Sequence, residues 1–226
     1  MKSNIKIKIT KHFEVHPVNI RTPLKNSDFI ELSQPKTNTS GLLDGFLKVF
    51  INHSVYDSIW LHAQSDQNEV GGALIGYYCQ NGDVRFLIIT DVLNMPPEYF
   101  NSPVSLKFTL DFIDDLEDYM LQINKNYPDL LRLGFYHTHP GYTVFLSGTD
   151  IRTFKGIFKE DWQIAMVVDP INQDEGIFFS QGNEISAKSG YIVYKSNNPA
   201  FQTHRATTQN IILIKNNKHI FQRVEE

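Results

Sequence analysis

The chain has 226 residues, 41% apolar and 20% charged, which suits one sizeable soluble domain with a core of its own. Residues 1–45 carry seven Lys/Arg against four Asp/Glu, and residues 46–226 carry fourteen against twenty-one; so acidic a body excludes the basic surface by which proteins grip nucleic acid. A single cysteine, Cys79, excludes an intrachain disulfide framework and points to a reducing, cytoplasmic setting, while no apolar run approaches the length of a membrane span, so no membrane partner is expected.

Residues 1–45 differ from the rest of the chain and are read as an N-terminal extension. Asn4 to Ile9 alternates polar and apolar, which predicts a short strand. Gln34 to Gly41 is polar and turn-rich, a linker or exposed loop. Leu47 to Ile51 predicts a strand. Ser54 with Asp57 three residues on predicts a capped helix start, continued by Val55, Ile59, Trp60 and Ala63 at helical spacing. Val70–Cys79 and Val84–Val92 are apolar runs around Gln80-Asn81-Gly82-Asp83, a tight-turn signal that predicts a β-hairpin. The Pro- and Asn-rich stretch 94–106 reads as loop.

A helix is predicted over about 110–124, with Phe112, Ile113, Leu116, Met120 and Ile123 on one face. Its first half holds Asp111, Asp114, Asp115, Glu117 and Asp118, read as a solvated face that suits the helix dipole. Leu131–Tyr136, Gln163–Val168, Gly176–Ser180 and Tyr191–Tyr194 read as strands, with a short helix from Ser147 and an edge strand near 210–215. Interleaved strands, hairpins and helices predict an α/β (mixed α+β) fold, a mixed sheet flanked by helices. The domain unit is taken as 46–195, with 196–226 as a C-terminal strand or tail. Cys79 reads as a packing residue. His53 and His62, at the ends of the first helix, read as surface or packing groups.

The densest chemistry lies at His137-Thr138-His139-Pro140, six further residues, then Ser147-Gly148-Thr149-Asp150. Residues two apart on a strand point the same way, so both imidazoles can aim at one point. Pro140 helps end the strand, and Asp150 falls in the first turn of the following helix, within swing of the two rings. Two nitrogens and a carboxylate leave one position of a tetrahedral Zn2+ site open for water, the arrangement of a zinc hydrolase. Glu69, ahead of Val70-Gly71-Gly72-Ala73-Leu74-Ile75-Gly76, is the candidate general base, with Gly71 and Gly72 permitting close backbone approach. Ser147 is the candidate donor to an oxyanion. Singly, Ser147 and Asp150 are a capping box and Glu69 a surface charge; the combination is what carries the reading.

These residues resemble the JAMM signature of the JAB/MPN metalloprotease family: a glutamate, then His-x-His-Pro, six residues, Ser, two residues, Asp. The flanks Glu69-Val-Gly-Gly-Ala-Leu-Ile-Gly and Leu133-Gly-Phe-Tyr136 resemble its catalytic strands, over about residues 46–195. The resemblance implies a curved mixed sheet between helices, zinc on His137, His139 and Asp150, Glu69 as base and Ser147 as oxyanion donor. It further implies cleavage after the C-terminal tail of ubiquitin or a ubiquitin-like protein, and association with that protein or its conjugates and with its activating and conjugating enzymes. Stand-alone prokaryotic-type members, some in antiphage defence, are of similar size. Stretches 93–107 and 171–190 correspond to substrate-contacting insertions and are short here. The competing readings are a peptidase that trims a sulfur-carrier protein or short peptide, and a non-catalytic scaffold that keeps the metal. A zinc nucleobase deaminase would need a Cys-x-x-Cys pair, which one cysteine cannot supply.

Overall fold

The apolar runs of the middle of the chain form the centre of one mixed sheet, buried on both faces by helices. The computed structural model describes residues 30–31, 47–81, 84–96, 108–181, 184–188 and 190–196. In chain order the elements are β1 (Ile30–Glu31), β2 (Leu47–Asn52), α1 (His53–Ala63), β3 (Gly71–Asn81), β4 (Val84–Asn94), α2 (Leu110–Ile123), β5 (Leu131–Thr138), α3 (Gly148–Ile157), β6 (Ile164–Asp169), β7 (Asp174–Gln181), β8 (Glu184–Lys188) and β9 (Ile192–Lys195). The nine strands lie in the order β1-β9-β2-β4-β3-β5-β6-β7-β8. The pairs β2/β9, β2/β4 and β5/β6 are parallel and the rest antiparallel. None of the described helices is long and apolar enough to cross a membrane.

Strand alternation divides the core in two. Ala73, Ile75 and Cys79 of β3 join Ile88 of β4 beneath Phe112, Leu116, Tyr119 and Ile123 of α2. Leu74 of β3 and Leu87 and Ile89 of β4 join Leu47, Val49 and Ile51 of β2 beneath Val55, Ile59 and Ala63 of α1. A strand covered on both faces needs apolar side chains at every position, which is why these segments read as continuous rather than alternating runs. Cys79 is wholly buried, and burial pushes its thiol up to about 12; it packs, as read from the sequence.

The bend that matters most is in β5. Opposite β3, Leu74 pairs with Gly134 and Ile75 with Arg132, so Leu133 is an extra residue in the ladder. Leu133 and Tyr136 therefore both face the α1 side, while Phe135 faces Phe154 and Phe158 below α3. Gly134 has φ +153°, and a Cβ there would lie 1.9 Å from the Ile164 carbonyl oxygen. Only glycine fits this β-bulge, and the bulge decides which face the residues after it use.

Several expectations are corrected. The cap of α1 is Asn52, whose Oδ1 accepts from the Ser54 N–H at 2.9 Å, so the helix starts one residue before Ser54. Asn competes equally with Ser for an N-cap, and the strand's end decided between them. Of the acidic residues on α2, Asp115 is buried while Asp111, Asp114 and Glu117 face outward. Gly72 is tight against the Leu93 carbonyl and the Tyr136 ring, so its missing side chain serves packing between strands rather than access to the histidines. The stretch 171–190 holds β8, a strand not anticipated. The predicted strands at 4–9 and 210–215, and the Gly82-Asp83 turn, lie outside the described residues. Asn81 does pair with Val84, which leaves a two-residue connection between β3 and β4. Within the N-terminal extension, β1 pairs antiparallel with β9.

Candidate metal centre

The centre forms where β5 ends beside its parallel neighbour β6, with α3 as the crossover between them. The bulge at Gly134 leaves Phe135 and His137 on the same face, and their rings stack at 5.6 Å and 22°. His139 lies just past the strand, anchored by its N–H to the Val168 carbonyl at 2.9 Å. Ser147 caps α3: its Oγ accepts from the Asp150 N–H at 3.3 Å, and its N–H donates to Asp150 Oδ2 at 2.6 Å. The capping box is thus real, and it also turns Asp150 Oδ2 toward the imidazoles.

Three donor atoms converge. His137 Nε2 and His139 Nε2 are 3.1 Å apart, and Asp150 Oδ2 lies 3.3 Å from the first and 3.6 Å from the second. Zinc bonds of about 2.0–2.2 Å in a tetrahedron set ligand atoms roughly 3.3–3.6 Å apart. All three residues are buried, and among the described residues they are the group of His, Cys, Asp and Glu whose spacing could hold a metal ion. Two imidazole nitrogens facing each other across one carboxylate oxygen fit a divalent cation, which takes neutral nitrogen and charged oxygen lone pairs at once.

Electrostatics agree with the geometry. Burial alone would raise the Asp150 carboxyl, but hydrogen bonding to His137 and His139 holds it well below the usual carboxylate range. Burial disfavours the charged form of His139, yet its hydrogen bond to Asp150 and the charges of Glu69 and Asp150 raise it overall. Asp150 therefore stays a carboxylate despite its burial, with an oxygen turned toward both imidazoles.

Glu69 Oε1 stands 4.0 Å from His139 Nε2. Its position is set by neighbours on either side of β5's end: Val70 N–H donates to Thr138 Oγ1 at 2.9 Å, and Thr138 N–H donates to the Val70 carbonyl at 2.8 Å. Thr138, between the two histidines, carried no signal of its own in the sequence. Glu69, His139, Ser147, Thr149 and Asp150 line an open cavity of about 200 Å3, with Tyr142 and Phe145 on its rim. The Phe145 ring is 4.6 Å from that of His139 and remains 45% exposed. All five residues singled out from the sequence, Glu69, His137, His139, Ser147 and Asp150, thus meet at one place. His53, by contrast, pairs with Asp57 on α1 at 3.0 Å, and His62 Nδ1 meets the Tyr136 hydroxyl.

One functional candidate escaped the sequence reading. Asp169, wholly buried at the end of β6, accepts hydrogen bonds from the N–H groups of Gly141, Thr143, Ile171 and Asn172 and from Asn172 Nδ2. An Asp-Pro pair after an apolar strand was its only signal, and that reads as an ordinary turn.

The family described as JAB1/Mov34/MPN/PAD-1 ubiquitin protease matches residues 44–160, which include every one of the converging side chains. The chain belongs to this family. Among curated proteins, this JAB/MPN chain is 32% identical over 136 residues to COP9 signalosome complex subunit 5 of Gibberella zeae, covering 55% of this chain and 36% of that protein. It is 31% identical over 145 residues to the same subunit of Neurospora crassa, covering 61% and 39%. It is 31% identical over 110 residues to ubiquitin carboxyl-terminal hydrolase RPN11 of Saccharomyces cerevisiae, covering 48% and 33%. The match thus spans about a third to two fifths of the length of these relatives.

Proposed function

We propose that the protein is a zinc-dependent isopeptidase or peptidase that cuts after the C-terminal tail of ubiquitin or a ubiquitin-like protein. The observation that carries this reading is the convergence of His137, His139 and Asp150, with the Glu69 carboxylate 4.0 Å beyond, at a cavity open to the outside. In this reading the catalytic unit is 46–195, and residues 1–45 and 196–226 flank it. His137 Nε2, His139 Nε2 and Asp150 Oδ2 would hold the zinc. When bound, zinc supplies Lewis acidity, polarising a carbonyl and acidifying water.

The chain's own groups do the rest. Glu69 Oε1 takes a proton from the attacking water and passes it to the leaving amine nitrogen. The Ser147 hydroxyl accepts from the Asp150 N–H, so its own proton is free to donate to the oxyanion. Phe145 and Tyr142 wall the approach with apolar surface and limit competing water. A cavity of about 200 Å3 is smaller than pockets that enclose drug-sized ligands, and suits a narrow tail of small residues laid across it. The name of the yeast relative, a ubiquitin carboxyl-terminal hydrolase, supports the same substrate class.

The test is Glu69→Gln, assayed on ubiquitin and ubiquitin-like proteins carrying C-terminal fusions. The variant is expected to keep its metal and lose cleavage by several orders of magnitude. Full activity in that variant would remove Glu69 from the chemistry. A parent protein that holds zinc and cuts no fusion would turn the reading toward a metal-bearing scaffold.

A further inference from the structure

The loop from Pro140 to Leu146 joins two of the three candidate ligands, yet it has no secondary structure to hold it. Asp169 supplies the hold. Its Oδ1 accepts from the Gly141 N–H at 2.9 Å, the Ile171 N–H at 3.0 Å and the Asn172 N–H at 3.1 Å. Its Oδ2 accepts from the Thr143 N–H at 2.9 Å and Asn172 Nδ2 at 2.7 Å. A carboxylate saturated by N–H donors cannot itself accept a cation readily, so Asp169 is not a further ligand.

Thr143 shows what the clamp does. Its φ is +71°, in the left-handed region that a β-branched residue adopts only under compulsion. In that conformation its carbonyl oxygen lies 3.3 Å from His139 Nδ1. A hydrogen bond from Nδ1–H to that oxygen selects the tautomer in which Nε2 carries the lone pair, and Nε2 is the nitrogen that faces Asp150 and His137. His137 has no such orienting bond: its Nδ1 is buried without a hydrogen-bond partner among the described residues, and its ring is held by stacking on Phe135.

We propose that Asp169 is a positioning residue of the metal centre: it holds Thr143 in the left-handed conformation, and the Thr143 carbonyl in turn fixes the tautomer and tilt of the His139 imidazole. The inference rests on the reading of His137, His139 and Asp150 as metal ligands. It assigns specific work to a residue outside that set and to the left-handed Thr143 backbone.

The experiment measures Zn2+ affinity by chelator competition, and the visible absorption of the Co2+-loaded protein, in the full chain. Asp169→Asn keeps the size of the side chain but replaces one acceptor oxygen with a donor. It is expected to weaken metal binding roughly 10–100-fold and to alter the Co2+ spectrum, as loss of a ligand-orienting bond does. Adding Thr143→Gly to that variant removes the steric penalty at φ +71° and should recover part of the affinity and spectrum. Thr143→Pro leaves Asp169 in place but removes the donor N–H and forbids a positive φ, so it should reproduce the loss even if Asp169→Asn does not fold. Parent-like affinity and spectrum in Asp169→Asn or Thr143→Pro would overturn the inference alone. A double variant that recovers nothing would also overturn it, because the effect would then not pass through Thr143. A parent protein that takes up no metal would overturn the reading of the centre itself, and the inference with it.

Discussion

Two buried aspartates stand within one loop's reach of each other, and they are satisfied in opposite ways. Asp169, at the end of β6, is ringed by five N–H donors on backbone and amide groups. Asp150, in the first turn of α3, accepts one backbone N–H and turns the same oxygen to two imidazoles. Fixed dipoles neutralise the first completely, so it has no use for a cation. The second is short of donors and faces nitrogens that can be neutral, an arrangement that could hold a divalent ion. The same residue type therefore serves as a rivet in one place and stands as a candidate metal ligand in another. The distinction lies in the number of N–H groups pointed at each carboxylate.

The largest expected effect tests the ligand side of that contrast. Asp150→Ala should reduce metal affinity by roughly a hundredfold or more, since a direct ligand outweighs an orienting bond; equilibrium dialysis against Zn2+ measures it. Retention of stoichiometric zinc would remove Asp150 from the centre. Asp169→Ala tests the other side. It strands four backbone N–H groups and should cost roughly 3–5 kcal/mol of stability, read as a shift of the urea midpoint at unchanged slope.

The contrast also depends on the bulge that aims His137 at Asp150. Gly134→Ala places a methyl group 1.9 Å from the Ile164 carbonyl oxygen, so either β5 or β6 must shift. We expect a loss of about 3 kcal/mol with weakened metal uptake, measured by thermal unfolding and metal content together. Unchanged metal uptake in a folded variant would show that the aim of the histidines tolerates a reshaped strand.

A smaller effect comes from a half-buried group away from the centre, His62. Burial lowers the pKa of His62 to about 4, against a small opposing pull from the Asp66 charge. In the unfolded chain it titrates near its ordinary value of 6.5. Its folded pKa is depressed, so its neutral form contributes stability above pH 6.5 that is lost as pH falls toward 4. The loss should reach about 2–3 kcal/mol across that window, and His62→Gln should flatten it. Chemical denaturation at stepped pH checks this, and a profile unaltered by His62→Gln would place the pH sensitivity elsewhere.

Much of the fold is legible in the amino-acid sequence because two local periodicities express it. Of the residues read at helical spacing, Val55, Ile59 and Ala63 of α1 and Phe112, Leu116 and Ile123 of α2 are buried while Trp60, Ile113 and Met120 are half-buried, and the Val70–Val92 hairpin formed around its two-residue connection. The fine features were not legible. The α1 cap went to Asn52 rather than Ser54 because either side chain can cap, and the end of β2 made the choice. The β8 strand was missed because its pairing with β7, not its own pattern, makes it a strand. Asp115 looked solvated within a run of acids, and only the packing of α2 against the sheet shows that it is buried.

For the centre, the sequence by itself determined which side chains are candidates: three metal donors, a base and an oxyanion donor. Their chemical types and their spacing along one strand, one loop and one helix start already named His137, His139, Asp150, Ser147 and Glu69. Tertiary structure decided how they are held: Thr138 ties Glu69's segment to the histidine strand, the bulge at Gly134 sets the face, and Asp169 binds the intervening loop. The physical reason is range. Ligand identity and local spacing are properties of short segments, whereas a hydrogen bond across 26 or 68 residues of chain exists only once the strands that carry its ends have paired.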